Sequence, residues 1–164
     1  MCKNSVRWLY KLEHSYRWGS LHPIPEDLVF RDRTGAVRLI IEQDGTITVT
    51  RGYAWDGCTP KLCIFDILIG TPDGVVSIRT GRPKTYYASL VHDALYQFLP
   101  DGLPLERRHA DGFLLRLMAE SEFGPRWLYW AAVRLCGGLF RHVTRVKRQT
   151  RGSAQTVRDL AAGA

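Results

Sequence analysis

Cysteine is scarce in this 164-residue chain: there are four, Cys2, Cys58, Cys63 and Cys136, and no two form a CxxC pair. That spacing excludes a repeating disulfide framework and points to free, reduced thiols. A structural zinc built on Cys58 and Cys63 would have to recruit two further ligands from far along the chain. Long apolar runs are also missing. A spanning helix needs about 18 to 20 uninterrupted apolar residues, and the nearest stretch, Trp127 to Phe140, is broken by Arg134. The opening MCKNSVRWLYKLEHS carries neither a signal-peptide apolar core nor a small-residue cleavage site, so a cytoplasmic location is expected. No internal repeat and no recognised nucleic-acid motif occurs, which argues against sequence-specific nucleic-acid binding.

Acidic residues are in deficit. Asp and Glu total 16 against 23 Lys and Arg, a formal charge of +7. Much of the surplus follows residue 125, at Arg126, Arg134, Arg141, Arg145, Lys147, Arg148 and Arg151. Such a bias attracts an anionic partner without naming one: anionic lipid, nucleic acid or an acidic protein.

What is present supports one α+β domain over residues 1–150, followed by a tail, 151–164, with no apolar face worth burying and expected to be loose. VRLIIEQ and TITVTR flank Asp44-Gly45, a strong hairpin signal between β-branched runs, so an antiparallel hairpin is expected over Val37 to Arg51. VRWLYKL and EDLVF also read as strands, with RWGSLHPIP as an irregular connection between them. LCIFDILI is an apolar run of strand length, and VVSIR a further β excursion. From Pro83 the period changes. KTYYASLVHDALYQFL reads as a first helix ending at Pro100-Asp101-Gly102, and RRHADGFLLRLMAESEF as a second that stops at Gly124-Pro125. A third begins near Arg126 and reaches as far as Lys147 unless Gly137-Gly138 ends it. On its wheel Arg126, Arg134, Arg141, Arg145 and Arg148 fall within an arc of about 100°, opposite Leu128, Ala132, Leu135, Leu139 and Val143.

The residues able to do chemistry gather on the first two helices. Ser89, His92 and Tyr96 share a face, and Asp93 is rotated by about 100° from His92. Arg107 and Asp111 are four apart on the next helix, and the short PDGLP connection favours antiparallel packing, which brings Asp111 within reach of His92, Asp93 or Tyr96. In one reading His92 is a general base or metal ligand oriented by a carboxylate, and another carboxylate holds a cation. In the other, the same groups form a hydrogen-bonded core network that fixes the helix pair. Calcium, bound by Asp93 with carbonyls of the WDGCTP loop, suits the oxygen-rich set better than zinc, for which His109 faces elsewhere. Asp56 and Gly57 in that loop either join the site or form a turn anchored by Trp55.

The pattern GY-x-WDG-C-T-P at Gly52 to Pro60, AxxHDxLY at Ala88 to Tyr96, RxxAD at Arg107 to Asp111 and YxAVR-like residues at Tyr129 to Arg134 resembles a family of small phage and prophage proteins without an assigned activity. A looser likeness is to secreted and viral phospholipases A2, which carry HDxxY on one helix and an Asp on an antiparallel neighbour. That likeness implies His92 as the base, Asp93 as a calcium ligand, and Tyr96 with Asp111 as support. Ser89-Leu90 stands where the secreted enzymes have a cysteine pair, and no CGxGG-type calcium loop lies upstream. Two functions are therefore expected to compete. One is a His/Asp hydrolase of an ester or phosphoester; the other is a non-catalytic phage structural or host-interaction protein. Both would act in the host cytoplasm or on the virion, with the basic third helix meeting anionic lipid or a phage or host protein.

Overall fold

The computed structural model describes residues 10–57, 62–64, 67–69, 74–136 and 151–156. The expected α+β organisation is present: an antiparallel β portion is followed by three helices. The strands are β1 (Tyr10–Lys11), β2 (Tyr16–Gly19), β3 (Leu28–Asp32), β4 (Val37–Ile41), β5 (Thr46–Val49), β6 (Ala54–Trp55), β7 (Leu62–Ile64), β8 (Ile67–Ile69) and β9 (Arg151–Thr156). The helices are α1 (Tyr86–Phe98), α2 (Arg107–Glu120) and α3 (Arg126–Cys136), and a single 3-10 turn, Leu99–Asp101, ends α1. The projected extension of α3 to Lys147 lies outside the described residues.

The main sheet has the order β2-β5-β4-β3-β9, with β1-β6 and β7-β8 as separate pairs. Its register places Phe30 opposite Leu39, Leu39 opposite Val49, and Ile41 opposite Ile47 and Leu28. These six side chains therefore share one face, and all are buried. Fully burying such a side chain contributes about 1.5 to 3 kcal/mol. The helices cover this face. Phe98 of α1 meets Phe30 with ring centroids 5.2 Å apart, and Phe113 of α2 meets Trp18 of β2 edge-on at 5.5 Å. α3 packs against α2 and buries Val133, with Tyr129 and Trp130 partly buried on the same core.

Five expectations change. LCIFDILI holds two paired strands, β7 and β8, and VVSIR holds only an isolated bridge between Val76 and Pro83. Tyr16–Gly19, expected as the start of an irregular connection, is a strand paired with β5. Its burial alternates, Tyr16 and Trp18 covered and Arg17 and Gly19 exposed, but four residues with a Gly at the end give too short a pattern to read as a strand. The expected loose tail is corrected at its beginning, since Arg151–Thr156 pairs antiparallel with β3. Edge pairing satisfies backbone N–H and C=O groups and needs no apolar face of its own. In α3, Leu128 is 77% exposed, so the helix does not seat on the side opposite its arginines.

The hairpin over Val37 to Arg51 stands, with a different turn from a two-residue loop. Glu42 N–H donates to Thr46 O at 2.9 Å and Gly45 N–H to Glu42 O at 2.9 Å. Gly45 alone takes a positive φ, 83°, whereas a two-residue type I′ turn would require positive φ at Asp44 as well. Asp44 Oδ1 accepts Thr46 N–H at 2.8 Å. Asp32 to Ala36 repeats the arrangement between β3 and β4, with Gly35 at φ 82°. The two glycines differ in surroundings. A Cβ at Gly45 would lie 2.6 Å from His22 O, and one at Gly35 would meet nothing within 4 Å. Gly35→Ala should therefore cost only the left-handed backbone, about 1 to 2 kcal/mol. Gly45→Ala should cost at least about 1 kcal/mol more through the overlap with His22. Urea unfolding of both variants checks this, and equal losses would show that the His22 segment yields.

Candidate functional site

α1 is an uninterrupted helix whose buried stripe runs through Ala88, Val91, Ala94, Leu95 and Phe98. α2 opens on a capping box in which the Glu106 side chain accepts the His109 backbone N–H, and His109 Nδ1 accepts the Glu106 N–H at 3.1 Å. His109 also lies 4.5 Å from the His22 ring, so it faces the N-terminal segment and stands apart from Asp111. Its pKa is lowered, by burial first and then by the neighbouring His22 and Arg108.

The antiparallel helix pair brings His92, Tyr96, Arg107 and Asp111 together. Asp111 is wholly buried. Its Oδ1 lies 3.0 Å from His92 Nε2 and accepts the Tyr96 hydroxyl at 2.5 Å. Its Oδ2 accepts Arg134 Nη1 at 3.2 Å and lies 3.7 Å from Arg107 Nε. Arg107 Nε donates to the Tyr96 oxygen at 2.6 Å, while its Nη2 reaches Val133 O and Arg134 O at 3.2 and 3.3 Å. One carboxylate thus collects donors from α1, α2 and α3. Burial works to raise the pKa of Asp111, and the donors His92, Tyr96 and Arg134 outweigh it, so the net direction is downward. Tyr96 is pushed up, by burial first and then by the Asp111 carboxylate.

Because His92 Nε2 faces an ionised acceptor, that nitrogen carries the proton, and Nδ1 is the lone-pair nitrogen of the neutral ring. The His92 side chain keeps 16% of its surface exposed. The arrangement therefore fixes the orientation and tautomer of an imidazole, which a general base requires of its partner.

Asp93 points elsewhere, as its rotation from His92 on the helix dictates. Its Oδ2 accepts the buried Tyr53 hydroxyl at 3.0 Å, and that hydroxyl also lies 2.9 Å from the Gln97 amide. A single hydroxyl proton serves one acceptor, so the carboxylate takes it and Gln97 presents its NH₂ group to the tyrosine oxygen. Tyr53 is raised well above the usual phenol range, by burial first and then by Asp93, with a smaller contribution from Asp56. Asp56 thus belongs to the Asp93 side of α1. Gly57 follows it, buried, at φ 78°. Ser89 is not part of the His92 cluster: its Oγ donates to Tyr86 O at 3.0 Å and accepts Trp55 Nε1 at 3.2 Å. Trp55 itself is fully buried against Tyr10 and Tyr86, anchoring the loop as one of the two expected readings had it.

Among the described residues, no three His, Cys, Asp or Glu side chains converge in a way that could hold a metal ion. Part of the WDGCTP loop, whose carbonyls were expected to join Asp93 around calcium, lies outside the described residues. Cys2 and Cys58, and with them Thr59, Pro60, Arg141 and Arg145, lie outside the described residues. Arg126 and Arg134 were expected as a basic surface. Arg126 is partly exposed, but Arg134 is committed at one nitrogen to Asp111, and its guanidinium lies 5.8 Å from the Trp130 ring. Trp127 is 60% exposed beside it. Sequence reasoning missed Arg134 as an Asp111 partner, along with Tyr53 and Gln97. A usable signal existed for Gln97, which follows Asp93 by one helical turn. Tyr53 likewise alternates with Trp55.

Comparison with protein-family models, with curated proteins and with solved structures returns no match to this chain.

Asp111→Asn should destabilise the fold by about 3 to 5 kcal/mol near neutral pH, because it leaves two guanidinium groups facing an amide that offers one acceptor oxygen. The pH dependence gives a second reading of the same interaction. Asp111 has a folded pKa below its ordinary 3.8. Its stabilisation is therefore complete above that value and lost as the pH falls through the lower folded value. Denaturant midpoints of wild type and variant should converge below about pH 4. A gap that stays constant down to pH 2 would mean that charge is not what Asp111 contributes.

Proposed function

We propose that this is a phage or prophage hydrolase of an ester or phosphoester in which His92 is the general base and Asp111 its orienting carboxylate. The observation that carries the reading is the 3.0 Å contact between a partly exposed imidazole and a wholly buried aspartate. Tyr96 and Arg134 fix that aspartate from two further directions. In this reading His92 Nδ1 takes a proton from water, and the water oxygen bonds to the carbonyl carbon or phosphorus. The bond to the leaving oxygen breaks, and the imidazolium returns its proton to that oxygen. Asp111 holds the tautomer and offsets the charge on the ring. Asp93, already accepting Tyr53, holds α1 against the loop, and no step runs through a metal. The site of action would be the host cytoplasm or the virion.

A second reading has its own support. Asp111 joins all three helices, which is what a non-catalytic structural or host-interaction protein would need from a buried polar network. The basic residues Arg126, Arg134, Arg141 and Arg145 would then serve contact with anionic lipid or a phage or host protein. Among the described residues no helix is long and apolar enough to cross a membrane.

His92→Gln separates the two, since its amide can occupy the Nε2 position and donate to Asp111 but cannot act as a base. Wild type and variant would be assayed on p-nitrophenyl butyrate, bis(p-nitrophenyl) phosphate and phosphatidylglycerol, in EDTA, calcium and zinc. A hydrolase should lose about 10²- to 10⁴-fold in turnover with its melting temperature nearly unchanged. Wild type that turns over none of the substrates in any of these buffers, with His92→Ala melting several degrees lower, would sink the catalytic reading in favour of the structural one.

A further inference from the structure

We infer that Arg134, seated beside His92 on the Asp111 carboxylate, receives the charge of a phosphodiester monoanion. This narrows the substrate class and rests on the reading of His92 as a hydrolytic base. The first argument is a charge count. Among the described residues, Arg107 and Arg134 pair with one carboxylate, that of Asp111, which leaves one positive charge in surplus.

The second argument is which guanidinium carries that surplus. Arg107 is committed through Nε to Tyr96 and through Nη2 to two backbone carbonyls of α3, and its side chain is 30% exposed. Arg134 gives Nη1 alone to Asp111 and keeps 43% of its side chain exposed, with the Trp130 ring 5.8 Å from the guanidinium. Its remaining N–H groups form the fork that matches two phosphate oxygens.

The third argument is position. His92 Nε2 and Arg134 Nη1 rest on the two oxygens of the same carboxylate, so one aspartate bridges the imidazole and the guanidinium. A single surplus charge matches the single charge of a phosphodiester. A neutral carboxylic ester leaves it unmatched, and a phosphomonoester dianion overshoots it. The shared chemistry is the diester group, whether from a small soluble compound or a lipid headgroup.

The test is titration of the full-length chain with dimethyl phosphate at low salt, following the His92 imidazole signals by ¹H-¹⁵N NMR. Neutral trimethyl phosphate is the control, and short-chain phosphatidylglycerol the lipid arm. Saturable binding on the order of millimolar is expected for dimethyl phosphate, weakening as salt is added. Arg134→Gln should abolish it, and Arg134→Lys should weaken it by about tenfold while the charge is kept. A response to phosphatidylglycerol far stronger than to dimethyl phosphate would assign the diester to a lipid, and equal responses to a soluble compound. The assignment is overturned if dimethyl phosphate gives no saturable shift, or if trimethyl phosphate gives the same one. If Arg134→Gln does not fold, the contrast between the two phosphates on wild type still decides. Ester turnover that depends on His92 without phosphate binding would overturn this assignment alone. Phosphate binding in a chain that hydrolyses nothing would sustain it and remove the base.

Discussion

A carboxylate without solvent has to be surrounded by donors, and the arrangement of the helices follows from that requirement at Asp111. Taking one such charge out of water costs several kcal/mol even after relaxation. Here the cost is offset by an imidazole and a phenol from α1 and by guanidinium groups from α2 and α3. None of these can leave without exposing a deficit in the others. The rotation of α1, the depth of α2 and the seating of α3 on Val133 are consequently coupled through one side chain.

In the proposed hydrolase the same coupling would let scaffold and chemistry share their parts. A general base works when its ring and tautomer are held in place, and a buried network does this as a by-product of satisfying its own polar groups. Adjacent residues His92 and Asp93 divide the work. The first engages the helices, the second engages Tyr53 on the strand side, so α1 is held from two directions about 100° apart. What distinguishes a site from a clamp is the exposed edge of His92 and the uncommitted nitrogens of Arg134, since a purely structural network would gain nothing by leaving them at the surface.

Local pattern made much of this legible. The β-branched runs around Asp44-Gly45 specify β4 and β5, and the apolar spacing after Pro83 specifies α1 and α2, because period and turn chemistry are properties of a few neighbouring residues. The i to i+4 spacing of His92 with Tyr96, and of Arg107 with Asp111, already fixes which side chains can meet once two helices pack antiparallel. Long-range choices were not legible. Arg134 reads as surface charge because nothing near it in sequence says that its partner lies 23 residues back on another helix. Tyr16–Gly19 becomes a strand because β5 offers an open edge, and Arg151–Thr156 does so because β3 does. Neither edge is written into the segment that fills it.

The pairing of β9 with β3 sets an order of events in the cell. Leu28 finds its partner at Thr156, which follows all three helices in sequence. During synthesis, then, β3 emerges early and pairs with β4 on one side, while the backbone groups of its other side stay open through the making of all three helices. Contacts of such sequence separation form slowly, and an open strand edge is a template for another chain. The nascent protein is thus open to association with its own copies at this edge until β9 has been made.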